Sequence, residues 1–224
     1  LWLAFLLGSC GNDGAYEKNI SEGIIEYKVT YPELDSNNLM LEMLPERMVM
    51  KFKKDKYKSE LKTAAGIIEM SVIADASNHT MQNVVKLFSD KYVLKLNKEE
   101  ALKMTGVLPP FQLQRLDEEK KIAEADCKKV LLDFGTGKAE SYLFYYTNDI
   151  DLLEPNWCTP FNEIEGVLLD YRIENYEMSM RLEAVNIMPA KIDDSEFQVD
   201  DSYKELTPEE FEAYVIKNLK TFME

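Results

Sequence analysis

Apolar and polar residues alternate with period two along most of the chain. Ile25, Tyr27, Val29 and Tyr31 are separated by Glu26, Lys28 and Thr30, the pattern of a strand with one wet face. Met48, Met50 and Phe52 repeat it, as do Tyr57, Ser59 and Leu61. The same reading extends to 67–73, 81–88, 91–96, 112–116, 128–134, 139–147, 166–173 and 177–187. Turn residues separate many of these segments, and Gly135-Thr136-Gly137 and Asn175-Tyr176 predict hairpins. About ten strands joined by tight loops predict an antiparallel sheet, because parallel pairs need long crossovers. Helix signals are few. A short helix is predicted over 97–104, stopped by Gly106 and Pro109-Pro110. Thr207-Pro208-Glu209-Glu210 forms a complete capping box, after which Phe211, Tyr214, Val215, Leu219 and Phe222 share one helical stripe. The polar face of that helix mixes Glu with Lys, so the stripe predicts packing against the sheet rather than a membrane-surface helix.

Charge narrows the function classes. Lys plus Arg number 26 against 41 Asp plus Glu, a net charge of −15, which leaves no excess cation to neutralise nucleic-acid phosphates. With 30% charged and 46% apolar residues the chain reads as a folded domain rather than a disordered one. One His and three Cys allow a zinc site only as three cysteines and the histidine, which would use every Cys present. No break in composition divides residues 23–224, so a single β-rich domain ending in the amphipathic helix is expected.

The opening residues carry a different signal. Leu1-Trp2-Leu3-Ala4-Phe5-Leu6-Leu7-Gly8-Ser9 is uncharged and far too short to span a bilayer, which needs about 20 apolar residues. It reads as the remnant of a signal peptide, residues 1–9, and Leu7-Gly8-Ser9-Cys10 resembles the bacterial lipobox. Cys10 would then carry the diacylglyceryl group and a further acyl chain such as palmitate, with residues 10–22 as lipidated cysteine and tether. Gly11 after the cysteine favours the outer membrane over inner-membrane retention, on its periplasmic or cell-surface face. The other reading makes this stretch a buried strand or helix with Cys10 as a small residue. Removing Cys10 from the count leaves Cys127 and Cys158. They form either a disulfide closing a loop of about 30 residues, worth about 3–4 kcal/mol on the chain-entropy model, or two separate buried thiols.

Several strings resemble catalytic motifs without their essential parts. Gly135-Thr136-Gly137-Lys138 lacks the spacing and the Ser or Thr of a phosphate loop, and Asp133-Phe134-Gly135 stands without the other kinase loops. His79 sits in the polar turn Asn78-His79-Thr80 with no nucleophile elbow anywhere in the chain, and reads as a solvated loop histidine. Asp117-Glu118-Glu119, Asp149 with Asp151, Asp193-Asp194 and Asp200-Asp201 read as solvated turns and edges. A hydrolase would need two of these carboxylates across a cleft. Met48, Met50, Met178 and Met180 with His79-x-Met81 could supply copper(I) ligands, but methionine more commonly fills irregular apolar space. No metal and no cofactor are expected.

From Ala125 onward the order of features is similar to a known layout. Ala125-Asp126-Cys127-Lys128-Lys129 leads one strand and Tyr145-Tyr146-Thr147-Asn148-Asp149-Ile150 closes the next. Trp157, Pro160 and Ile164-Glu165-Gly166-Val167-Leu168-Leu169 follow, then a hairpin with Met178 and Met180, Phe197-Gln198-Val199, Tyr203-Lys204 and the capping box. This resembles an uncharacterised family of Gram-negative lipoproteins with a LolA/LolB-like layout, distantly similar to GLPGLI proteins. The resemblance implies a mainly β (α+β) fold: a curved antiparallel sheet or half-barrel of about ten strands wrapped on a few helices, leaving an apolar concavity. Tyr27, Val29, Met48, Met50, Phe52, Tyr142, Phe144, Leu169, Tyr171, Met178 and Met180 would line it. The function then expected is non-enzymatic binding of an apolar ligand such as lipid by a membrane-anchored lipoprotein. The alternative is an interaction subunit of an outer-membrane assembly, with Tyr142, Tyr145, Tyr146 and Tyr171 as aromatic anchors for a protein partner.

Overall fold

The computed structural model describes residues 18–34, 44–63, 66–105, 108–135, 141–175 and 178–223. Cys10, most of the tether, Thr136, Gly137, Tyr176 and the side chains of Leu219 and Phe222 lie outside the described residues. The strands are β1 (Glu22–Thr30), β2 (Arg47–Lys53), β3 (Lys56–Lys62), β4 (Ile68–Asp75), β5 (Thr80–Leu87) and β6 (Asp90–Leu96). After the helix α1 (Lys98–Thr105) come β7 (Gln112–Ile122), β8 (Ala125–Asp133), β9 (Tyr142–Thr147), β10 (Val167–Asn175) and β11 (Met178–Pro189). A single 3-10 turn (Asp194–Phe197), the short β12 (Lys204–Glu205) and the helix α2 (Pro208–Met223) complete the order.

All twelve strands join one sheet in the order β12-β6-β5-β4-β3-β2-β1-β11-β10-β9-β8-β7. Every pairing is antiparallel except β12 with β6. The sheet is open, since β7 and β12 stand at its two ends. This corrects the expected half-barrel of about ten strands wrapped on a few helices. Helices do not fill the sheet: α1 and α2 pack mainly against β5 and β6. Two strands exceed what the alternation predicts, for physical reasons. The run Asp117-Glu118-Glu119-Lys120-Lys121 has no apolar alternation, yet it continues β7 past a bulge because β8 offers Lys129 to Glu118 at 2.6 Å and Asp126 to Lys121 at 2.9 Å. Ala123 and Glu124, both in the left-handed region, close that hairpin. The two residues of β12 are too few to show a period.

The predicted capping box at Thr207 forms, and the short helix α1 opens with a second one. Asn97 N–H donates to Glu100 Oε2 at 2.9 Å while Glu100 N–H donates to Asn97 Oδ1 at 3.1 Å. Thr207 and Glu210 exchange the same pair of bonds at 3.0 and 3.3 Å. Phe211 and Val215 are buried in the main core, and Tyr214 stacks edge-on against Tyr92 at 4.6 Å, so the helical stripe faces the sheet.

The two faces of the sheet differ in chemistry. In register across β1–β6, the inner face runs in layers: Gly23, Phe52, Tyr57, Ala74, Met81, Leu96; then Ile25, Met50, Ser59, Val72, Asn83, Leu94; then Tyr27, Met48, Leu61, Met70, Val85, Tyr92. The outer face is an ionic lattice in which Lys51–Glu196 (2.7 Å), Lys53–Asp194 (2.7 Å), Lys86–Glu69 (2.7 Å) and Lys129–Glu118 (2.6 Å) alternate in sign. A small second core of Ile73, Val84 and Val93 on that face is covered by Ile192 and Phe197 of the segment after β11. One end of the inner face is closed by the loop 148–166. Ile150, Leu152, Trp157 and Cys158 enter the main core, and Phe161 and Ile164 pack on Val130, Phe144 and Leu168. Ile20 and Ile150 form a parallel bridge that pins the loop's start, and Leu153 N–H donates to Lys54 carbonyl at 2.8 Å.

Of the two alternatives for Cys127 and Cys158, the structure has separate thiols, both buried. Cys158 Sγ lies 3.2 Å from the Tyr57 hydroxyl, and Cys127 Sγ donates to the Ala125 carbonyl at 3.5 Å. Burial pushes the Cys127 thiol up to about 11 and also raises that of Cys158, so neither is a thiolate at neutral pH. Peptide mapping after maleimide treatment should therefore find Cys127 and Cys158 unlabelled in the native protein and labelled in denaturant. Labelling under native conditions would contradict their burial.

Candidate functional site at the inner face

Where the closing loop packs, the inner face is solid. Phe52, Ala74 and Leu169 have no exposed surface, and Tyr27, Met50, Tyr57 and Met81 are buried. Toward the opposite end, where the β3–β4 and β5–β6 turns lie, apolar side chains at inner positions are half-buried instead. Leu61, Met70, Val72, Tyr92, Ile173 and Met178 all pack on the core while keeping part of their surface open. Among the described residues, the inner positions of β1 through β6, β10 and β11 carry no Lys or Arg; a carboxylate, Asp90, stands at the open end of β6 and accepts from the Tyr214 hydroxyl at 3.2 Å. This open apolar face, beside an exterior dense in Lys and Glu, is the candidate binding surface.

Sheet curvature brings distant strands together there. The Tyr27 and Tyr171 rings, on strands that β11 separates, meet edge-on at 6.0 Å. Burial pushes the phenols of Tyr27, Tyr57 and Tyr171 up, which keeps them protonated donors. Tyr27 donates to the Leu168 carbonyl at 2.9 Å and Tyr57 meets Cys158, whereas Tyr171 has no hydrogen-bond partner among the described residues.

Three neutral polar groups face this apolar surface: Tyr171, Ser59 and Asn83. Ser59 and Asn83 flank Val72 in register, two strands apart, about 10 Å across the sheet. Asn83 Nδ2 points at the thioether of Met104 on α1, 3.8 Å away, which is a weak acceptor. The Ser59 hydroxyl has no partner among the described residues. Fully buried side-chain polar atoms without a partner are, among those residues, Trp157 Nε1 and Ser179 Oγ. Ser59 is half-buried, whereas burial sequesters the Tyr171 phenol.

The residues expected to line a concavity divide into two sets. Tyr27, Val29, Met48, Met50, Phe52, Phe144, Leu169 and Met180 are buried. Tyr142, Tyr171 and Met178 are half-buried and reach the open part of the face. Ser59 stood in the inner alternation of its strand, but its role depends on Val72 and Asn83, which only the strand register places beside it. Of the other aromatic candidates, Tyr146 is buried, and Tyr145 lies on the outer face with Lys120 Nζ 3.9 Å from its ring centre.

Other polar groupings are structural. His79 is not simply solvated: with φ 48° in the β4–β5 turn, its ring meets Trp157 edge-on at 5.3 Å. Its Nε2 lies 3.3 Å from Glu154 and 3.4 Å from Lys98 Nζ. It sits at the closed end, remote in register from Met48 and Met178, so the thioethers and the imidazole are not brought together. No group of three or more His, Cys, Asp or Glu that could hold a metal ion occurs among the described residues. Asp170, 4% exposed, is held on the outer face by both terminal contacts of Arg181 at 2.9 Å and by Lys120 at 3.4 Å. The acidic turns cap backbone: Asp193 accepts from Ser195 N–H and Asp200 from Ser202 N–H, both at 2.9 Å. Two clefts, of about 340 and 630 Å³, lie on the outer face around Lys53, Lys54 and Asp194, where Lys53 is paired with Asp194 and Lys191 with Glu22. Among the described residues, no helix is long and apolar enough to cross a membrane.

No family model and no curated protein matches the chain. Among solved structures, PNGF-II is similar with a TM-score of 0.54 and 14% identity, over 88% of this chain and 32% of that one. The likeness is one of fold, and this chain spans about a third of the PNGF-II chain. MucB in complex with MucA(peri) matches with a TM-score of 0.34 and 7% identity, over 81% of this chain and 56% of that one. A beta-barrel-like protein of the domain of unknown function DUF1849 from Brucella abortus matches with a TM-score of 0.30 and 12% identity, over 78% of this chain and all of that one.

Proposed function

We propose that this protein is a non-enzymatic binding protein that takes an apolar ligand, a lipid, onto the open part of the inner face. The observation that carries the reading is the contrast between an outer face laced with Lys–Glu pairs and an inner face whose strand positions hold no Lys or Arg and whose apolar side chains stay half-open on one side. A soluble domain gains nothing from leaving such a surface wet, because each buried Å² of apolar area contributes about 25 cal/mol. A binding role also fits the single histidine, which is engaged by Glu154, Lys98 and Trp157 with no nucleophile among its described partners. The lipobox-like Leu7-Gly8-Ser9-Cys10 supports attachment to the outer membrane through an acylated Cys10.

The interaction-subunit reading has one observation in its favour. Strand β7 leaves an edge of 11 residues with no strand beyond it. Its bulge and its five consecutive charges work against strand addition, as protected edges do. Native mass spectrometry of the purified protein, followed by lipid extraction, tests the primary reading. A stoichiometric lipid is expected, and a protein that stays empty after incubation with membrane lipids would overturn it.

A further inference from the structure

Resting on the ligand-binding reading, the geometry points to a narrower ligand class. We infer that the site takes a free, uncharged acyl lipid whose polar head, an ester carbonyl with its neighbouring hydroxyl groups, lies across Val72 between Asn83 and Ser59, and that these two residues set its specificity. The argument begins with what the inner face lacks. A carboxylate or phosphate drawn into this surface would meet no cation on β1–β6, β10 or β11, and an ion desolvated without a partner is strongly disfavoured. The lysines and arginines of these strands stand at the alternate, outward positions, where carboxylates hold most of them, Lys51, Lys53, Lys86 and Arg181 among them.

What the face offers instead is donors. Asn83 presents an amide whose N–H is spent on a thioether at 3.8 Å, a contact that a carbonyl oxygen would replace with a normal hydrogen bond. Ser59 is half-buried and its hydroxyl has no partner among the described residues. Both can donate to an acceptor, and the apolar surface of Leu61, Met70 and Val72 beside them accommodates the chain that follows it. A plain hydrocarbon would leave the donors unsatisfied, and a fatty acid anion would bring its charge to a place with no countercharge. A neutral acyl ester satisfies both conditions.

The test uses the whole protein, with phenylnaphthylamine as a fluorescent reporter of the apolar face and three competitors at neutral pH: monoolein, oleate and lysophosphatidylcholine. Monoolein is expected to displace the reporter at concentrations about tenfold or more below those of the two charged competitors. In Asn83→Leu, with folding checked by its thermal melt, the monoolein advantage over oleate should shrink about tenfold, and Ser59→Ala should reduce it by less. Equal displacement by oleate and monoolein, or an unchanged ratio in Asn83→Leu, overturns the assignment while leaving a ligand-binding protein. Failure of the reporter to bind at all overturns the binding reading itself, and this assignment with it.

Discussion

Gly166→Ala is expected to lower the stability of the fold by about 3 kcal/mol and its melting temperature by roughly 6–12 °C, as read by circular dichroism. A Cβ on Gly166 would lie 2.3 Å from the Thr147 carbonyl oxygen, 2.6 Å from the Tyr146 ring and 2.7 Å from Asn148 Oδ1. None of these can retreat cheaply. Thr147 is fully buried and paired on both sides, to Cys127 of β8 and Val167 of β10. The Gly166 carbonyl is itself held, because Asn156 Nδ2 donates to it at 2.9 Å and to the Ile164 carbonyl at 2.7 Å. The loop that closes one end of the inner face therefore enters β10 through a passage fitted to a residue without a side chain. Gly135→Ala provides the contrast. Gly135 has φ 79° but nothing within 4 Å of its would-be Cβ, so the change should cost no more than about 1 kcal/mol. A Gly166→Ala protein as stable as the unaltered one would show that this junction is not tightly packed.

How much of this could be seen in the sequence depends on the range of the interactions involved. Period-two alternation located most strands because one side chain in two meets the core, as with Ile25, Tyr27 and Val29. The capping box at Thr207 was equally legible, since its bonds span three residues. The charged half of β7 was not, because its place in the sheet comes from Lys129 and Asp126 on a different strand. Alternation likewise assigns a face to each residue without saying how much water that face meets. Tyr27 and Tyr171 share the inner face, yet only Tyr171 reaches its open part, and the difference is made by the loop 148–166 and by curvature. Ser59 and Asn83 become neighbours of one another only through the register of β3, β4 and β5. The separation of Cys127 and Cys158 into different contacts is of the same long-range kind.

Val72→Lys is expected to reverse the ligand preference, from neutral acyl ester to fatty acid anion, with a swing on the order of a hundredfold in the ratio of their affinities. Val72 is half-buried and lies in register between Ser59 and Asn83, so an ammonium there stands where the ligand's head would be received. The lysine stem can lie along the apolar surface now covered by valine while its charge reaches the open side, which keeps the loss of stability small. An oleate carboxylate would then find the countercharge that the native face withholds, worth about 4 kcal/mol at 4 Å for an effective dielectric near 20, less the desolvation of both ions. Monoolein gains nothing from the ammonium and loses apolar contact with Val72. Reporter displacement with both ligands, repeated at low and high ionic strength, separates this from a general loss of packing. A true charge effect raises oleate affinity and weakens as salt increases, whereas a parallel fall for both ligands would mean that Val72 contributes only apolar surface and that the head is received elsewhere.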